Sequence, residues 1–138
     1  MKVLFVCTQN VGRSQMAAAL YNSLAADGHA DAAGTRVDEP GQRLADRAHG
    51  HPGAQDVLSV MREDGLDLSH KTRHAVSKEM LDGYDHIIVM AEPDTIPDYL
   101  RDHPRAVYWD IPDPRFDGID AARGTRDELK RRIVELLG

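Results

Sequence analysis

The chain has 138 residues, which is enough for one hydrophobic core and too few for two, so we expect a single domain at residues 1–138. Its formal net charge of -6 gives no global positive field, which excludes nucleic acid and anionic membrane surfaces as predicted partners. The chain has one cysteine, so it can form no internal disulfide. It also has no apolar run near the ~18 residues that span a bilayer, and we therefore expect a cytoplasmic protein.

The first half of the chain begins with a predicted buried strand. Residues 2–6 form a nearly continuous apolar run, which is typical of a parallel sheet, and this strand ends at Cys7. Residues 13–26 are rich in helix formers and predict a helix. Residues 29–34 predict a second strand, because the sheet order requires one there. Residues 35–52 combine glycine, proline and charge without a period, which predicts a surface loop.

The second half contains further predicted helices and strands. Residues 54–62 place apolar side chains at helical spacing and predict a helix. A short helix is predicted after Ser77, which can cap it. Residues 85–90 and 106–109 are short apolar runs that predict two strands. The tail, residues 125–137, opens with the capping-box pattern Thr-Arg-Asp-Glu and predicts a final helix.

The alternation of strands and helices predicts the fold class. Apolar strands between helices indicate an α/β three-layer sandwich with a four-stranded parallel sheet. In such a sheet ligands bind beyond the carboxyl ends of the strands, where a helix N-terminus offers unpaired N–H groups to an anion. Residues 7–14 lie between the first strand and the first helix, so we predict an anion-binding loop there. Its predicted substrate-binding residues are Thr8, Gln9, Asn10, Val11, Gly12, Arg13 and Ser14.

The side chains of this loop suit a thiol nucleophile. The field at a helix N-terminus favours the thiolate of Cys7, although a lone cysteine at a strand end can also be a small buried hydrophobic residue. The planar guanidinium of Arg13 matches two oxygens of a tetrahedral oxyanion. Ser14 can donate a hydrogen bond to the sulfur. Asn10 and Gly12 suit the left-handed backbone that a tight loop requires.

A second candidate element follows the predicted strand at 106–109. The segment Asp110-Ile111-Pro112-Asp113-Pro114 holds carboxyl groups in a loop stiffened by proline. Such a group can protonate a leaving oxygen, although an Asp-Pro pair can also be a simple turn.

Two pairs of histidines, His49 with His51 and His70 with His74, have the chemistry of metal ligands. Scattered solvent-facing histidines are far commoner than ligands, so we predict no metal site. The role of the loop at residues 36–51 is left open between a lid, a docking surface for a thiol partner and tolerated length.

Motifs along nearly the whole chain resemble the low-molecular-weight protein tyrosine phosphatase superfamily, which includes arsenate reductases of the same fold. The resemblance implies that Cys7 is the nucleophile, that Arg13 binds the oxyanion and that Asp113 is the general acid. It also implies that Asn10 and Ser14 support the loop. The motifs are Val-Leu-Phe-Val-Cys at 3–7, the loop through Ser14, Ala-Ala-Gly-Thr at 32–35, Gly-Leu-Asp-Leu-Ser at 65–69, Tyr-Asp-His-Ile-Ile-Val-Met at 84–90 and Asp113-Pro114.

Three details are similar to the reductase branch. Gln15 stands where the phosphatases usually have proline, Gln9 where they typically have glycine, and Arg115-Phe116 where they tend to have a tyrosine. The chain departs from thioredoxin-coupled reductases, because it has no further cysteine for an internal disulfide relay. The resemblance therefore implies an arsenate reductase without a bound cofactor. A small-molecule thiol such as mycothiol or glutathione would take the arsenic from Cys7, and a redoxin would release arsenite.

Two alternatives stay open. A tyrosine phosphatase would form a phosphocysteine at Cys7 while Asp113 protonates the departing phenol, and water would then hydrolyse that intermediate. An anion-binding protein without catalytic activity would bind phosphate and show no turnover.

Overall fold

Four parallel strands form the centre of the molecule in its computed structural model, which describes residues 1–138. The strands are β1 (Lys2–Cys7), β2 (His29–Gly34), β3 (His86–Val89) and β4 (Ala106–Tyr108), in the sheet order β2-β1-β3-β4. The helices are α1 (Arg13–Leu24), α2 (Leu44–Arg47), α3 (Pro52–Glu63), α4 (Asp98–Arg101) and α5 (Ile119–Leu137). Short 3₁₀ helices cover Glu79–Gly83 and Pro93–Thr95.

β1 is a central strand whose two faces are both buried. Phe5 pairs with Ala32 of β2 and with Ile88 of β3. Its side chain packs with apolar residues of α1, α3 and α5, whereas Leu4 and Val6 pack into a second cluster on the opposite face. Successive side chains of a strand point to opposite faces, so a strand between two covered faces must be apolar throughout. The predicted three-layer α/β fold with a four-stranded parallel sheet is confirmed.

Several predicted elements match the structure closely. The strand predicted at 29–34 is β2, and the helix predicted at 54–62 is the middle of α3. The short helix expected after Ser77 is the 3₁₀ helix that begins at Glu79, and Ser77 Oγ accepts a hydrogen bond from the backbone N–H of Met80 at 3.3 Å.

Three predictions differ from the structure. The segment 35–52, predicted as a surface loop, contains helix α2, whose Leu44 is buried in the main core. α5 begins at Ile119 behind Gly118, so Thr125 lies inside the helix and does not cap it. The helix predicted at 13–26 ends slightly early, at Leu24. No helix of the chain combines the length and the apolar character needed to cross a membrane.

The carboxyl ends of β1, β3 and β4 meet at one edge of the sheet, because the strands are parallel and adjacent. The segments that leave these ends are 8–12 after β1, 90–92 after β3 and 109–118 after β4. Residues far apart in sequence are therefore brought to one place, which is where ligands bind in sheets of this type.

Candidate active site

The loop between β1 and α1 presents a run of unpaired backbone donors. None of the N–H groups from Thr8 to Gln15 donates to a backbone carbonyl, and the first that does is that of Met16, which donates to the carbonyl of Gly12 at 2.9 Å. The start of a helix leaves such donors unpaired, and the aligned peptide dipoles add partial positive charge. The predicted anion loop therefore has the donors that an oxyanion needs.

Cys7 lies at the base of this loop, with its sulfur in a buried polar contact. Cys7 Sγ lies 3.0 Å from Ser14 Oγ, and Asn10 Nδ2 donates to the same hydroxyl at 2.7 Å. All three residues are buried, Cys7 with an exposed fraction of 3%. The structure thus brings the predicted nucleophile together with the two residues predicted to support the loop.

Asn10 has the left-handed backbone that the sequence predicts, with φ at 59°. Its Oδ1 accepts a hydrogen bond from the backbone N–H of His74 at 2.7 Å, which joins the loop to a distant segment. Gly12 has φ at -106°, so the predicted left-handed conformation at this position is wrong. A methyl group there would meet the side chain of Val57 at 3.6 Å, an ordinary contact.

The guanidinium of Arg13 is buried and held by backbone carbonyls. Its Nη1 donates to Met90 O at 2.7 Å and to Ile111 O at 2.9 Å, beyond the ends of β3 and β4. Its Nη2 lies 3.3 Å from Glu92 Oε1 and 3.9 Å from Asp113 Oδ2. Because both hydrogens of Nη1 are used, Nε and Nη2 are the groups that can meet two oxygens of a ligand.

Asp113 is placed beside this guanidinium by the loop that follows β4. Its Oδ1 accepts from the backbone N–H of Arg115 at 3.0 Å, and its Oδ2 lies 3.4 Å from Arg115 Nε. Its side chain is 32% exposed, which leaves one side of the carboxyl group facing the cleft. Asp113 therefore meets Cys7 and Arg13 in one cleft, whereas Asp110 does not line it.

The cleft above Cys7 has a volume of about 410 Å³. Phe116 is its one aromatic lining residue; it is 83% exposed, and the guanidinium of Arg115 stacks over its ring at 4.6 Å. The other walls come from the anion loop, from the 36–51 loop, from α3, from the rest of the loop after β4 and from the start of α5. They include Gln9, Val11, Gly12, Arg47, His51, Pro52, Gly53, Ala54, Asp56 and Val57.

Arg73 is a fully buried cation that sequence reasoning missed. It donates to the carbonyl oxygen of Gln9 at 3.0 and 3.2 Å and to the side-chain oxygen of Gln9 at 2.9 Å. It also donates to Gln42 Oε1 at 2.7 Å and lies 2.8 Å from Asp38 Oδ1. Arg73 thus joins the anion loop to the 36–51 loop. The only sequence signal was Gln9, whose polar side chain can accept a hydrogen bond from a cation.

Gln15 and Glu92 also contact the loop, and neither was predicted as a site residue. Gln15 Nε2 donates to Asn10 Oδ1 at 3.1 Å and to the carbonyl of Thr72 at 3.0 Å. The backbone N–H of Glu92 donates to Thr8 Oγ1 at 3.0 Å. These contacts fix both ends of the loop before any ligand binds.

Gly34, at the end of β2, allows the anion loop to approach the sheet closely. A Cβ atom on Gly34 would lie 2.5 Å from the carbonyl oxygen of Thr8 and 3.0 Å from the backbone nitrogen of Asn10. The next backbone N–H, that of Thr35, donates to Cys7 O at 2.9 Å. The glycine of the Ala-Ala-Gly-Thr motif is therefore required by this close approach.

The histidines do not converge on a common point. His51 lines the cleft, and His74 Nε2 lies 2.9 Å from Thr72 Oγ1. No group of three or more His, Cys, Asp or Glu side chains is arranged to hold a metal ion.

The sequence of the chain is similar to known proteins along almost its entire length. Residues 2–138 match the family described as low molecular weight phosphotyrosine protein phosphatase. A putative arsenate reductase of Halobacterium salinarum is 31% identical over 136 residues, which cover 96% of this chain and 87% of that protein. A glutaredoxin arsenate reductase of Synechocystis sp. is 28% identical over 142 residues, which cover 99% of this chain and 95% of that protein.

The fold is also similar to solved structures. A low molecular weight protein tyrosine phosphatase from T. tengcongensis superposes with a TM-score of 0.80 over 99% of this chain and 97% of that chain. The two sequences are 24% identical, so this likeness shows the shared fold.

Proposed function

The chain belongs to the low molecular weight phosphotyrosine protein phosphatase family, and from that premise we propose that it is an arsenate reductase that passes arsenic from Cys7 to a small-molecule thiol. The observation that carries the proposal is the cleft wall, whose one aromatic side chain, Phe116, is 83% exposed. A phenyl ring needs apolar enclosure, whereas arsenate needs only the donors of the anion loop. The 31% identity to a putative arsenate reductase supports the same assignment.

The first step is attack of the Cys7 sulfur on the arsenic of bound arsenate. The bound species is dihydrogen arsenate; one of its oxygens leaves as water with both of its protons, a bond forms between sulfur and arsenic, and the arsenic stays pentavalent. The free backbone N–H groups of the loop, together with Nε and Nη2 of Arg13, hold the remaining oxygens and offset the charge that they carry.

The second step needs a thiol from outside the chain, because Cys7 is the only cysteine. The sulfur of a small-molecule thiol attacks the arsenic, the bond from Cys7 to arsenic breaks, and Cys7 returns as a thiolate. A redoxin thiolate then attacks the sulfur of the released conjugate. The electron pair of the sulfur–arsenic bond passes to arsenic, which leaves as trivalent arsenite, and a mixed disulfide remains on the redoxin.

The proposed chemistry needs a reducing compartment and no bound cofactor. A free thiol nucleophile persists where thiols are kept reduced, so we propose that the protein acts in the cytoplasm. Its reactants are an oxyanion, a soluble thiol and a redoxin.

A second candidate function is hydrolysis of phosphotyrosine, and the position of Asp113 favours it. Its carboxyl group lies in the cleft, 3.9 Å from Arg13 Nη2, where it can protonate a departing phenol. Arsenate and phosphate have the same shape and charge, so the two reactions share the contacts of the oxyanion with the loop and with Arg13, and they differ in the leaving group.

A paired assay tests the two functions on one preparation. Arsenate reduction is measured with glutathione or mycothiol plus a matching redoxin, and phosphate release is measured from phosphotyrosine. We expect arsenate turnover to exceed phosphotyrosine turnover. Phosphotyrosine hydrolysis without arsenate reduction would assign the chain to the phosphatases, and phosphate binding without turnover of either substrate would show a binding protein.

A further inference from the structure

The cleft is larger than the oxyanion that the loop at its base can hold. Its volume of about 410 Å³ lies in the range of sites for small organic molecules, ~300–1,000 Å³. Arsenate has five heavy atoms and would fill only the part next to Cys7. The lining also includes Arg47 and His51 of the 36–51 loop and Arg115 and Phe116 of the loop that follows β4. Because Cys7 lines the same cleft, this space is where a second thiol would reach an arsenic atom on Cys7.

Arg47 is a fixed cation in the part of the lining that comes from the 36–51 loop. Its Nη1 lies 3.3 Å from Asp38 Oδ2, and its side chain is 20% exposed. The other oxygen of Asp38 lies 2.8 Å from Nη2 of the buried Arg73. Arg73 in turn donates to Gln9 of the anion loop. A continuous set of polar contacts therefore runs from the anion loop to the guanidinium of Arg47.

The three charged side chains of these contacts, Arg47, Asp38 and Arg73, carry a net positive charge. Partial burial raises the pKa of Asp38, but the hydrogen bond and charge of Arg73, and then those of Arg47, outweigh that effect and lower the pKa below its ordinary value. Asp38 is thus a carboxylate shared by two guanidinium groups, which leaves one positive charge in excess. The side chain of Arg47 makes no hydrogen bond other than the one to Asp38, so the remaining N–H groups of its guanidinium can bind a ligand.

The other charged groups in the lining do not duplicate this feature. Arg115 is paired with Asp113 at 3.4 Å, so its charge is matched within the cleft. Asp56 lies on the α3 side of the lining and pairs with no cation. His51 follows Arg47 in the same wall. Arg47 is therefore the cation best placed to receive an anionic group above Cys7.

We propose that Arg47 binds a carboxylate of the thiol that takes arsenic from Cys7. The co-substrate is then a small thiol that carries carboxylate groups, as glutathione does, and not a neutral polyol thiol such as mycothiol. The proposal rests on the arsenate reductase function proposed above. In the step concerned, the incoming thiol loses its proton to solvent and its sulfur bonds to arsenic. The bond from Cys7 to arsenic breaks, Cys7 leaves as thiolate, and the arsenic stays pentavalent.

The contact favours anionic thiols for a physical reason. A hydrogen bond between a guanidinium and a carboxylate contributes about 1.5–3 kcal/mol when it is shielded from solvent, which corresponds to about 10- to 100-fold in affinity. A neutral hydroxyl group in the same position gains less, because it lacks the charge.

The binding test uses S-methylglutathione, whose blocked sulfur cannot react. It is titrated calorimetrically into the protein in the presence of inorganic phosphate, which occupies the anion loop. We expect Arg47→Gln to weaken binding by about 10-fold or more and Arg47→Lys to weaken it less. The matched control is Arg43→Gln, because Arg43 lies in the same loop, is 62% exposed and does not line the cleft. The control should bind like the wild type.

A kinetic test separates this proposal from the proposed function. With arsenate as substrate, Arg47→Gln should raise the KM for glutathione about 10-fold and should raise the KM for 2-mercaptoethanol much less, because that thiol has no carboxylate. Arsenate turnover that is equally efficient with both thiols and insensitive to Arg47→Gln would overturn the carboxylate site and leave the reductase function standing. Binding of S-methylglutathione through Arg47 without arsenate turnover would keep the site and overturn the reductase function. Equal binding by the wild type and Arg47→Gln would overturn the site by itself.

Discussion

The hydrogen on the Ser14 hydroxyl is directed at the sulfur by its neighbours. Asn10 Oδ1 accepts from the backbone N–H of His74, so the amide nitrogen of Asn10 must face Ser14 Oγ. That nitrogen can only donate, and Ser14 Oγ therefore accepts from it. The serine hydrogen is left for Cys7 Sγ, 3.0 Å away. This hydrogen bond fixes the position of the sulfur at the base of the anion loop.

Replacing Cys7 with serine should abolish turnover and preserve anion binding. In the proposed reaction the loop amides and Arg13 supply the binding, and the substitution alters neither. We expect turnover of arsenate and of aryl phosphate to fall by about 10³-fold or more, as for other lost nucleophiles. Phosphate affinity, measured by calorimetry, should stay close to that of the wild type. Retained turnover together with weakened phosphate binding would show that Cys7 is not the nucleophile.

Replacing Asp113 with asparagine should separate the two chemistries. Hydrolysis of phenyl phosphate requires a proton on the departing phenol, so its kcat should fall by about 10²- to 10⁴-fold. Formation of the arsenic adduct on Cys7 releases water and should change much less. Both rates are measured by rapid mixing, with Asp110→Asn as the control, since Asp110 does not line the cleft. Equal losses in the two reactions would remove Asp113 from the role of acid.

The strands were predictable because a parallel sheet buries both of their faces. β1 is inaccessible to solvent from Val3 to Val6 and therefore appears in the sequence as a plain apolar run. The start of α5 was not predictable in the same way, because its buried face includes Arg126. That side chain is 8% exposed and donates to the carbonyl of Val60 at 2.9 Å. Because a charged residue lies in the buried stripe, the apolar pattern of α5 does not extend to the helical turns before Arg126.

The supports of the anion loop that lie within it, Asn10 and Ser14, were predictable, whereas its long-range support by Arg73 was not. The spacing of Cys7, Arg13 and Ser14 is visible in the sequence, because these residues lie close together along the chain. The contacts of Arg73 with Gln9 depend on how the 36–51 loop folds over the sheet edge. Long-range partners of this kind leave no period or motif in a single sequence.

The first turn of α3 packs against the loop that carries Asp113, and Gly53 makes this contact possible. A Cβ atom on Gly53 would lie 2.7 Å from the carbonyl oxygen and 3.0 Å from the Cα atom of Arg115. These are backbone atoms, so they can move only if the whole loop moves. Gly53→Ala should therefore displace Asp113 and lower kcat for phenyl phosphate by about 10- to 100-fold.

The control for Gly53→Ala is the same change at Gly124, an exposed position inside α5. A Cβ atom there has no neighbour within 4 Å. Alanine is the better helix former, so Gly124→Ala should stabilise the protein by up to ~1 kcal/mol in urea unfolding and leave the activity unchanged. Unchanged phenyl phosphate hydrolysis in Gly53→Ala would show that the contact with Arg115 does not position the acid.

The whole sheet is needed to assemble the site. Arg13 enters from the start of α1, yet its guanidinium is held by the carbonyls of Met90 and Ile111, beyond the ends of two other strands. A fragment that lacked β3 or β4 would lose one of these acceptors and leave a buried guanidinium group unsatisfied. The site is thus a property of the complete strand order and not of the 7–14 loop alone.

The helices α3 and α5 are joined by ion pairs that make this arrangement sensitive to pH. The carboxylate of Glu63 lies 2.7 Å from Arg123 Nη2 and 2.8 Å from Arg126 Nη1. Hydrogen bonds from Arg123 and then from Arg126 lower the pKa of Glu63 from 4.5 to about 2. A carboxyl group whose pKa is lowered by folding stabilises the folded state only while it is ionised.

The stabilisation by Glu63 should therefore be complete above pH 4.5 and should disappear as the pH falls through about 2. We expect the urea midpoint of Glu63→Gln to lie below that of the wild type at pH 7, and the gap to close as the pH falls from 4.5 towards 2. Glu79→Gln is the control, because Glu79 is exposed and forms no ion pair. Its midpoint should follow that of the wild type at every pH. The difference in urea midpoint between Glu63→Gln and the wild type could instead stay constant down to pH 2. That result would mean that the charge of Glu63 does not stabilise the protein through its contacts with the arginines, and that apolar packing alone holds α5 on α3.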